Sequence, residues 1–379
     1  MKNNLIALCV FVAFSVTVSA QVNNPIVTAV PSLSIAPDAR AGGMGDIGAA
    51  TAPDVNSQYW NAAKYVFMES DAGLSVSYTP WLRKLVTDID LAYMAGYWKF
   101  DQRQALSASL RYFSLGDITL MDQLGIPQGS AHPNEVAVDL AYSRMLSDKL
   151  SAALTMRFIH SDLNNGINLA GGSEMYPGNS VAADIAAYYK TPVTLQSTDG
   201  TLAFGVNISN IGSKISYDQN ETSNFIPTNL RIGSSFDYPL DNYNKISFSA
   251  DLNKLLVPTP KINPTAADIT AYNNLSPIAG IFQSFSDAPG GFKEEMEEIM
   301  WSVGAEYAYN NQFFVRGGYF NENQYKGNRK YFTAGAGFKL NVFQLDAAYV
   351  ISTSQSNPLD QTLRFSLSFD LFGLKNLVK

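Results

Sequence analysis

Hydrophobic and polar side chains alternate with a period of two along most of the chain. In the run 362–371, leucine and phenylalanine fill every odd position, and threonine, arginine, serine or aspartate fills every even position. This period is typical of a β-strand with one apolar and one polar face. Fourteen such segments lie near 71–80, 87–100, 103–116, 134–147, 149–162, 180–190, 200–212, 227–238, 243–256, 300–309, 312–321, 328–340, 342–354 and 360–372.

The connections between these segments alternate in length. Short connections such as 101–102 are followed by long ones such as 117–133, 163–179 and 257–299. An even number of strands with tight turns at one end and long loops at the other is typical of bacterial outer-membrane barrels, whose tight turns are periplasmic. We therefore predict an all-β fold, a 14-stranded antiparallel transmembrane β-barrel over residues 71–379, located in the outer membrane.

The polar face of the segments indicates a barrel lumen. It carries Ser, Thr, Asn and Gly with sparse charges, whereas a face in bulk water would hold many Lys and Glu. We expect its acids and arginines to pair across the lumen, because guanidinium groups match carboxylates. They are Asp90, Asp139, Asp184, Asp251, Glu306, Asp346, Asp370, Arg111, Arg157, Arg231, Arg316 and Arg364. The apolar face is left for lipid, where a charge at the midplane costs ~2–4 kcal/mol. Aromatic residues near strand ends fit interfacial girdles, namely Tyr59, Trp60, Tyr78, Trp81, Tyr97, Trp98 and Trp301.

The N-terminal seventy residues fall into two parts. Lys2, an apolar stretch over 5–18 and small residues up to Ala20 predict a signal peptide at 1–20, with a buried helix as the alternative. Residues 21–70 do not alternate and are rich in small side chains. They predict a plug, or hatch, inside the barrel lumen, and a flexible periplasmic arm is the alternative.

Composition and motifs exclude several classes of function. A net charge of −7 and a pI of about 4.9 argue against binding to nucleic acid. The glycines in 43–48 match a dinucleotide-binding spacing but lack its strand and helix context, so we interpret them as points of close backbone packing. His132 and His160 have no Cys or second His at metal-ligand spacing. We predict no catalytic residues, metal or cofactor, and a protein that is not an enzyme.

The 257–299 connection contains the main candidate binding residues. It predicts a short helix near 266–272 and ends in an acidic helical turn with Phe292, Met296 and Ile299 at helical spacing. A loop of this length is commonly functional. We predict that these three side chains bind a protein partner, and a lid that only covers the barrel mouth is the alternative.

The first outer connection holds a second candidate contact. Trp81, Leu82 and Arg83 place apolar and basic groups side by side. We predict that they contribute to protein binding. The alternative is an aromatic anchor at the membrane interface with a snorkelling basic side chain.

Four runs carry a family resemblance: PIVTAVP at 25–31, IAPDARAGGMGD at 35–46, NSQYWN at 56–61 and SYTPWLR at 77–83. They resemble the PorV (LptO) family of the type IX secretion system of Bacteroidota, whose wider relatives are FadL-like fourteen-stranded barrels with an N-terminal hatch. The resemblance implies that the plug includes Arg40, Gly42, Gly43, Gly45, Asp46, Trp60 and Asn61.

The resemblance also implies a function. Members of this family bind the C-terminal signal domain of secreted cargo at the SprA (Sov) translocon. They deliver it to the attachment complex, in which the PorU sortase joins the cargo to lipopolysaccharide in the outer-membrane lipid. Two alternatives stay open. A FadL-like transporter of hydrophobic molecules would have an apolar pocket near the outer mouth, and a lipopolysaccharide O-deacylation factor would have a nucleophile and a base at the outer rim.

Overall fold

Fourteen antiparallel strands form a closed barrel in the structure. The structure is a computed structural model that describes residues 24–84, 86–121, 125–164, 176–195, 198–218, 222–353 and 359–373. The barrel strands and a separate hairpin (β4 and β5) are β1 (Ala72–Pro80), β2 (Asp90–Lys99), β3 (Gln104–Ser114), β4 (Ile118–Met121), β5 (Pro127–Ala131), β6 (Asn134–Ser147), β7 (Leu150–Asp162), β8 (Gly178–Leu195), β9 (Thr198–Gly212), β10 (Asn229–Pro239), β11 (Asn244–Leu255), β12 (Met300–Tyr309), β13 (Phe313–Asn321), β14 (Lys330–Leu340), β15 (Phe343–Ser352) and β16 (Leu363–Asp370). All fourteen predicted barrel strands are confirmed, whereas the β4–β5 hairpin within an outer loop was not predicted.

The barrel closes where the first and last strands pair. Val76 of β1 lies opposite Leu367 of β16 on one side and Met94 of β2 on the other. Closure satisfies the backbone hydrogen bonds of both terminal strands, as a sheet in lipid requires. The tight turns all lie at one end, which is the periplasmic end of an outer-membrane barrel. The β8–β9 hairpin extends further at that end than we predicted, because its strands run to Leu195 and from Thr198.

The two faces of β7 illustrate the barrel wall. Thr155 and Arg157 are buried on the inner face, whereas Leu154 and Met156 are more than half exposed on the outer face. β3, β11 and β16 show the same division. The alternation therefore separates a polar lumen from a lipid-facing surface, as predicted.

β2 departs from the predicted assignment of faces. Its buried side chains are Leu91, Tyr93, Ala95 and Tyr97. Tyr97 stacks on Tyr65 of the N-terminal segment with ring centroids 5.0 Å apart, so protein and not water covers this inner face. The prediction that Asp90 is a luminal acid is wrong. Its carboxylate lies on the outer face, where it accepts a hydrogen bond from the Tyr78 hydroxyl at 2.6 Å.

The predicted aromatic girdle is only partly correct. Tyr78, Trp98 and Trp301 are exposed on outer strand faces. Trp60 and Tyr97 are buried inside the barrel. Trp60 belongs to the N-terminal segment, and Tyr97 packs against that segment. The strand pattern does not predict this packing.

Residues 24–70 occupy the barrel lumen and form the predicted plug. At the outer mouth, the backbone N–H of Asn24 donates to the carbonyl of Tyr325 at 3.2 Å. At the periplasmic end, Lys99 Nζ donates to the carbonyl of Met68 at 2.8 Å, shortly before the chain enters β1. Between these points the plug forms the 3₁₀ helices Pro31–Ser34 and Ala62–Phe67 and the short α-helices Ala39–Gly42 and Ser57–Trp60.

Wall glycines allow the plug backbone to approach the strands directly. A Cβ at Gly318 of β13 would lie 2.1 Å from the carbonyl carbon of Met44, and one at Gly205 of β9 would lie 1.9 Å from the carbonyl oxygen of Ala49. Gly45 turns the plug chain with a φ of +83°, which a side chain would resist. These contacts agree with our interpretation of the plug glycines.

The long outer loop contains three helices, Ala266–Asn274, Pro277–Gln283 and Phe292–Glu297. The first confirms the predicted helix, and Thr265 and Asp268 form a capping box at its start. The second was not predicted. The described helices are all too short or too polar to cross a membrane. The predicted signal peptide at 1–20 lies outside the described residues.

Candidate functional site

The plug is joined to the wall by a chain of buried ion pairs. Arg40 contacts Asp54 within the plug (2.7 Å) and Glu306 of β12 (3.0 Å). Glu306 also accepts a hydrogen bond from Arg316 of β13 at 2.6 Å, and Arg316 contacts Asp346 of β15 at 2.6 Å. Charge-assisted bonds of this kind are strong and directional. The chain therefore fixes the plug to three strands of the wall.

Two further contacts anchor the plug segment that follows the α-helix Ala39–Gly42. Asp46 of the plug pairs with Arg364 of β16. From another part of the wall, Asp251 of β11 accepts the backbone N–H groups of Gly48 and Ala49 at 2.9 and 3.0 Å. The plug thus supplies both a charged side chain and bare backbone donors to the wall.

Hydrogen bonds within the plug complete its structure. Asp38 accepts the N–H of Ala41 at 2.9 Å and the indole N–H of Trp60 at 2.6 Å, which links its two short helices. The Asn61 amide donates to the carbonyl of Ala187 in β8 at 2.9 Å. The structure places all seven predicted plug residues inside the barrel, namely Arg40, Gly42, Gly43, Gly45, Asp46, Trp60 and Asn61.

The predicted pairing of luminal charges holds for part of the set. Arg157 of β7 contacts Asp139 and Asp184 on the neighbouring strands at 2.6 and 3.0 Å. Arg111 and Arg231 have no carboxylate within 4.0 Å among the described residues. Strand alternation predicted which face these residues share but not which acids they meet.

The long outer loop is held against the barrel rim by two buried lysines. Lys254 near the end of β11 contacts Glu295 at 3.1 Å and Glu298 at 2.5 Å. Lys326, in the outer connection between β13 and β14, contacts Glu294 at 2.5 Å and Glu298 at 3.1 Å. We call these five residues the loop clamp. The acidic run was visible in the sequence, but nothing in the sequence indicated its lysine partners.

Asp287 lies beside the loop clamp. Burial raises the pKa of its carboxyl to about 6, and the nearby Glu295 and Glu298 act in the same direction. A hydrogen bond from the Thr259 N–H at 3.1 Å and the charge of Lys254 oppose the rise. Ionisation of the Asp287 carboxyl is therefore less favourable than that of an exposed aspartate, and the carboxyl loses its proton near pH 6.

The loop clamp leaves large apolar side chains facing outward. Phe292 and Met296, one helical turn apart on the last loop helix, are 81% and 51% exposed. Ile278 and Phe282 hold the same spacing on the preceding helix and are 55% and 73% exposed. We call these four the apolar loop residues. Ile299 follows the helix and is half-buried, so only two of the three predicted residues share this exposure.

The second predicted contact divides between the interior and the surface. Trp81 and Leu82 are half-buried and pack against a cluster at the outer mouth that includes Phe320. Arg83 is exposed and lies 3.5 Å from Asp90. The structure thus leaves only Arg83 of this trio free for an outside contact.

A cavity lies between the plug and the outer half of the wall. Its volume is about 620 Å³, including the part that is open to solvent. Tyr59 and Trp60 of the plug line it together with Arg231, Phe320 and Tyr331 of the wall. The lining is mixed, whereas the transporter alternative predicted an apolar pocket.

The two histidines lie near the outer ends of strands. His132 Nδ1 is 2.6 Å from Asp117 Oδ1, and His160 Nδ1 is 2.8 Å from Asn179 Oδ1. In the described ranges, neither ring bonds a serine or threonine hydroxyl. No three His, Cys, Asp or Glu side chains in the same ranges are placed to hold a metal ion.

The fold is similar to that of several solved barrels. The Pseudomonas putida toluene transporter TodX has a TM-score of 0.50 at 10% identity, over 87% of this chain and 96% of that chain. The CymD monoaromatic hydrocarbon channel has a TM-score of 0.50 at 13% identity, over 90% and 98%. A Pseudomonas aeruginosa FadL homologue has a TM-score of 0.45 at 10% identity, over 92% and 99%. At these identities the first two likenesses show a shared fold alone.

Sequence comparison identifies the family. No curated protein matches the chain. The family described as "Type IX secretion system protein PorV" matches residues 18–262, which include the plug and the barrel strands through β11. This chain therefore belongs to the PorV family of the type IX secretion system, and it is an outer-membrane β-barrel.

Proposed function

We propose that this protein is a shuttle and scaffold that binds the C-terminal signal domain of secreted cargo at the SprA translocon. It then delivers the cargo to the attachment complex that contains the PorU sortase. Membership of the PorV family supports a role in this secretion system. The outer loop supports the proposal that this role consists of binding cargo.

The observation that carries the proposal is the exposure of the apolar loop residues. Large apolar side chains grouped on an exposed segment commonly mark an interaction site. The loop clamp holds the helix of Phe292 and Met296 in place before a partner arrives. A preordered surface binds more tightly because less conformational entropy is lost on association. Phe292 and Met296 are therefore suited to dock onto another protein at the cell surface.

The plug bears on where the cargo binds. It occupies the lumen and is bonded to β11, β12 and β16. A cargo domain that passed through the barrel would have to break these buried contacts. We infer that the cargo is held at the outer rim and that the barrel acts as its membrane carrier.

The test is a pair of serine substitutions, Phe292→Ser with Met296→Ser, made in cells that secrete cargo. We expect cargo co-purification from detergent-solubilised outer membranes to fall about tenfold or more, since exposed anchors of this type commonly dominate binding energy. The control is Met121→Ser, which removes an equally exposed methionine from the β4–β5 hairpin. Unchanged cargo recovery from a barrel that still resists heat in detergent would contradict docking through this loop.

A second candidate is a FadL-like conduit for hydrophobic molecules. The presence of a cavity supports it although the lining is mixed, and two barrels of similar fold are a toluene transporter (TodX) and a monoaromatic hydrocarbon channel (CymD). Uptake of toluene into vesicles that contain the purified protein distinguishes the two functions. Uptake above that of protein-free vesicles would favour the conduit, and no uptake together with cargo binding would favour the shuttle.

A further inference from the structure

Arg231 of β10 is a buried arginine that has no carboxylate within 4.0 Å in the part of the chain that the structure describes. Its side chain is 8% exposed. It donates from Nε to Asn253 Oδ1 at 2.9 Å and makes a long contact from Nη1 to the Tyr59 carbonyl at 3.5 Å. Other luminal arginines, such as Arg157 and Arg316, meet two carboxylates each among the described residues. A buried charge without a counter-ion in contact is costly, so Arg231 is suited to pair with an anionic group.

The guanidinium group of Arg231 is held in a fixed orientation. It lies 4.6 Å from the centroid of the Trp60 ring and 5.3 Å from that of Tyr59, and both rings belong to the plug. Stacking on aromatic faces leaves the edge of a guanidinium group available to an oxyanion. The same side chain lines the cavity. Arg231 is therefore a preoriented cation with open space beside it.

The remaining charges around the cavity do not supply the missing anion. Among the lining residues, the one carboxylate is Asp46, and it is engaged by Arg364 and the Tyr331 hydroxyl. Arg329, a second cation in the lining, pairs with Glu322 at 2.8 Å. Asp251 of β11 attracts Arg231 electrostatically, but it lies more than 4.0 Å away and accepts the N–H groups of Gly48 and Ala49. Among the described residues, the cavity thus presents Arg231 without a carboxylate in direct contact.

Aromatic and apolar side chains form much of the rest of the lining. Phe320 and Tyr331 stack on each other with ring centroids 4.9 Å apart. Met300 and Leu255 extend the apolar part of the lining. A ligand that meets both parts of the cavity carries one negative group and a flat apolar body.

We propose that the cavity binds a small aromatic carboxylate, whose carboxylate pairs with Arg231 and whose ring packs against Phe320 and Met300. A planar carboxylate matches the two parallel N–H groups of a guanidinium edge. This site is independent of the apolar loop residues, and the inference does not rest on the cargo-shuttle proposal.

The experiment measures binding of 4-fluorobenzoate to the purified full-length protein in detergent by ¹⁹F NMR line broadening. Unlabelled benzoate, benzamide and toluene serve as competitors. We expect benzoate to displace the probe at least about tenfold more effectively than benzamide, which has the same shape without the charge. Equal displacement by benzamide or toluene, or the absence of probe binding at millimolar concentration, would overturn the carboxylate assignment.

Variants locate the site. Arg231→Gln removes the charge, and we expect it to weaken probe binding about tenfold. Arg111→Gln is the matched control, because Arg111 also stacks on Tyr59, at 4.8 Å, but does not line the cavity. Equal weakening by both variants, or none by Arg231→Gln, would overturn the role of Arg231. If Arg231→Gln does not fold, the comparison of benzoate with benzamide in the unmodified protein still decides the proposal.

Discussion

Arg40 of the plug and Glu306 of β12 share two hydrogen bonds, from Nε to Oε2 at 3.2 Å and from Nη2 to Oε1 at 3.0 Å. The pair is bidentate, so it sets the orientation of the plug as well as its position. Arg316 contacts the same carboxylate at 2.6 Å. Glu306 is therefore the group that keeps two buried cations together, and the plug is an integral part of the folded barrel.

Glu306→Gln should strongly destabilise the protein. The substitution removes the carboxylate that joins Arg40 and Arg316 and leaves each with one acidic partner, Asp54 and Asp346 respectively. Breaking a buried pair in this way costs about 3–5 kcal/mol. The measurement is the free energy of unfolding by denaturant in detergent micelles. Arg83→Gln is the control, since Arg83 and Asp90 form an exposed pair at 3.5 Å whose loss should cost about 0–1 kcal/mol. Equal effects of the two substitutions would show that the plug contact contributes little to stability.

Gly318→Ala should separate the plug from the wall. The added methyl would lie 2.1 and 2.2 Å from the carbon and oxygen of the Met44 carbonyl, well inside van der Waals contact, and backbone cannot move aside cheaply. Overpacking of this kind costs about 1–3 kcal/mol. The adjacent Gly317 is a matched control, because a Cβ there meets only the Thr333 carbonyl at 3.9 Å. Gly317→Ala should change the unfolding free energy by about 0.5 kcal/mol or less, and a similar loss in both variants would contradict the steric argument.

Strand alternation predicted the wall well because each wall residue faces one of two very different environments, lipid or lumen. Periodicity does not specify partners within the lumen. Asp46 meets Arg364 from the far end of the chain, and no local pattern contains that information. β2 was assigned to the wrong faces for a related reason. Its inner residues contact the aromatic side chains of the plug, so both faces of the strand are apolar. Only the position of Tyr65 in the plug shows which face points into the lumen.

In the outer loop, too, local interactions were predictable from the sequence and contacts between distant parts of the chain were not. Its first helix was predicted from Thr265 and the residues that follow, because capping is a local interaction. The loop clamp was not predicted, since Lys254 and Lys326 approach the acidic helix from two other parts of the chain. For the same reason the sequence suggested the exposure of Phe292 but not the mechanism that fixes its helix.

Glu298→Gln should release the outer loop while the barrel remains folded. Glu298 contacts both clamp lysines, and it also accepts the Thr259 hydroxyl at 2.6 Å. Loss of its charge leaves two buried lysines with fewer partners. We expect added protease to cleave the loop on intact cells severalfold faster. Lys261→Gln is the control, because Lys261 pairs with Asp268 in the same loop but is 70% exposed. Slow cleavage of both variants would show that the loop clamp is not what orders the loop.

The packing of the loop should weaken as the pH rises, because of Asp287. Its pKa is raised from the ordinary 3.8 to about 6, so the folded loop retains a proton between these values that the unfolded loop has lost. Stability therefore falls as the pH rises from about 4 to 6 and stays lower above that range. Asp287→Asn removes this charge and can still accept the Thr259 N–H.

The measurement is amide hydrogen exchange of the 257–299 peptides, with variant and parent compared at each pH so that intrinsic exchange rates cancel. At pH 7.5 the loop should exchange severalfold more slowly in Asp287→Asn than in the parent, and at pH 4 the two proteins should match, because the parent carboxyl is then protonated in the folded loop. Greater protection of the parent at pH 7.5 would mean that the attraction of Lys254 outweighs burial and the repulsion from Glu295 and Glu298, and that the carboxylate stabilises the loop.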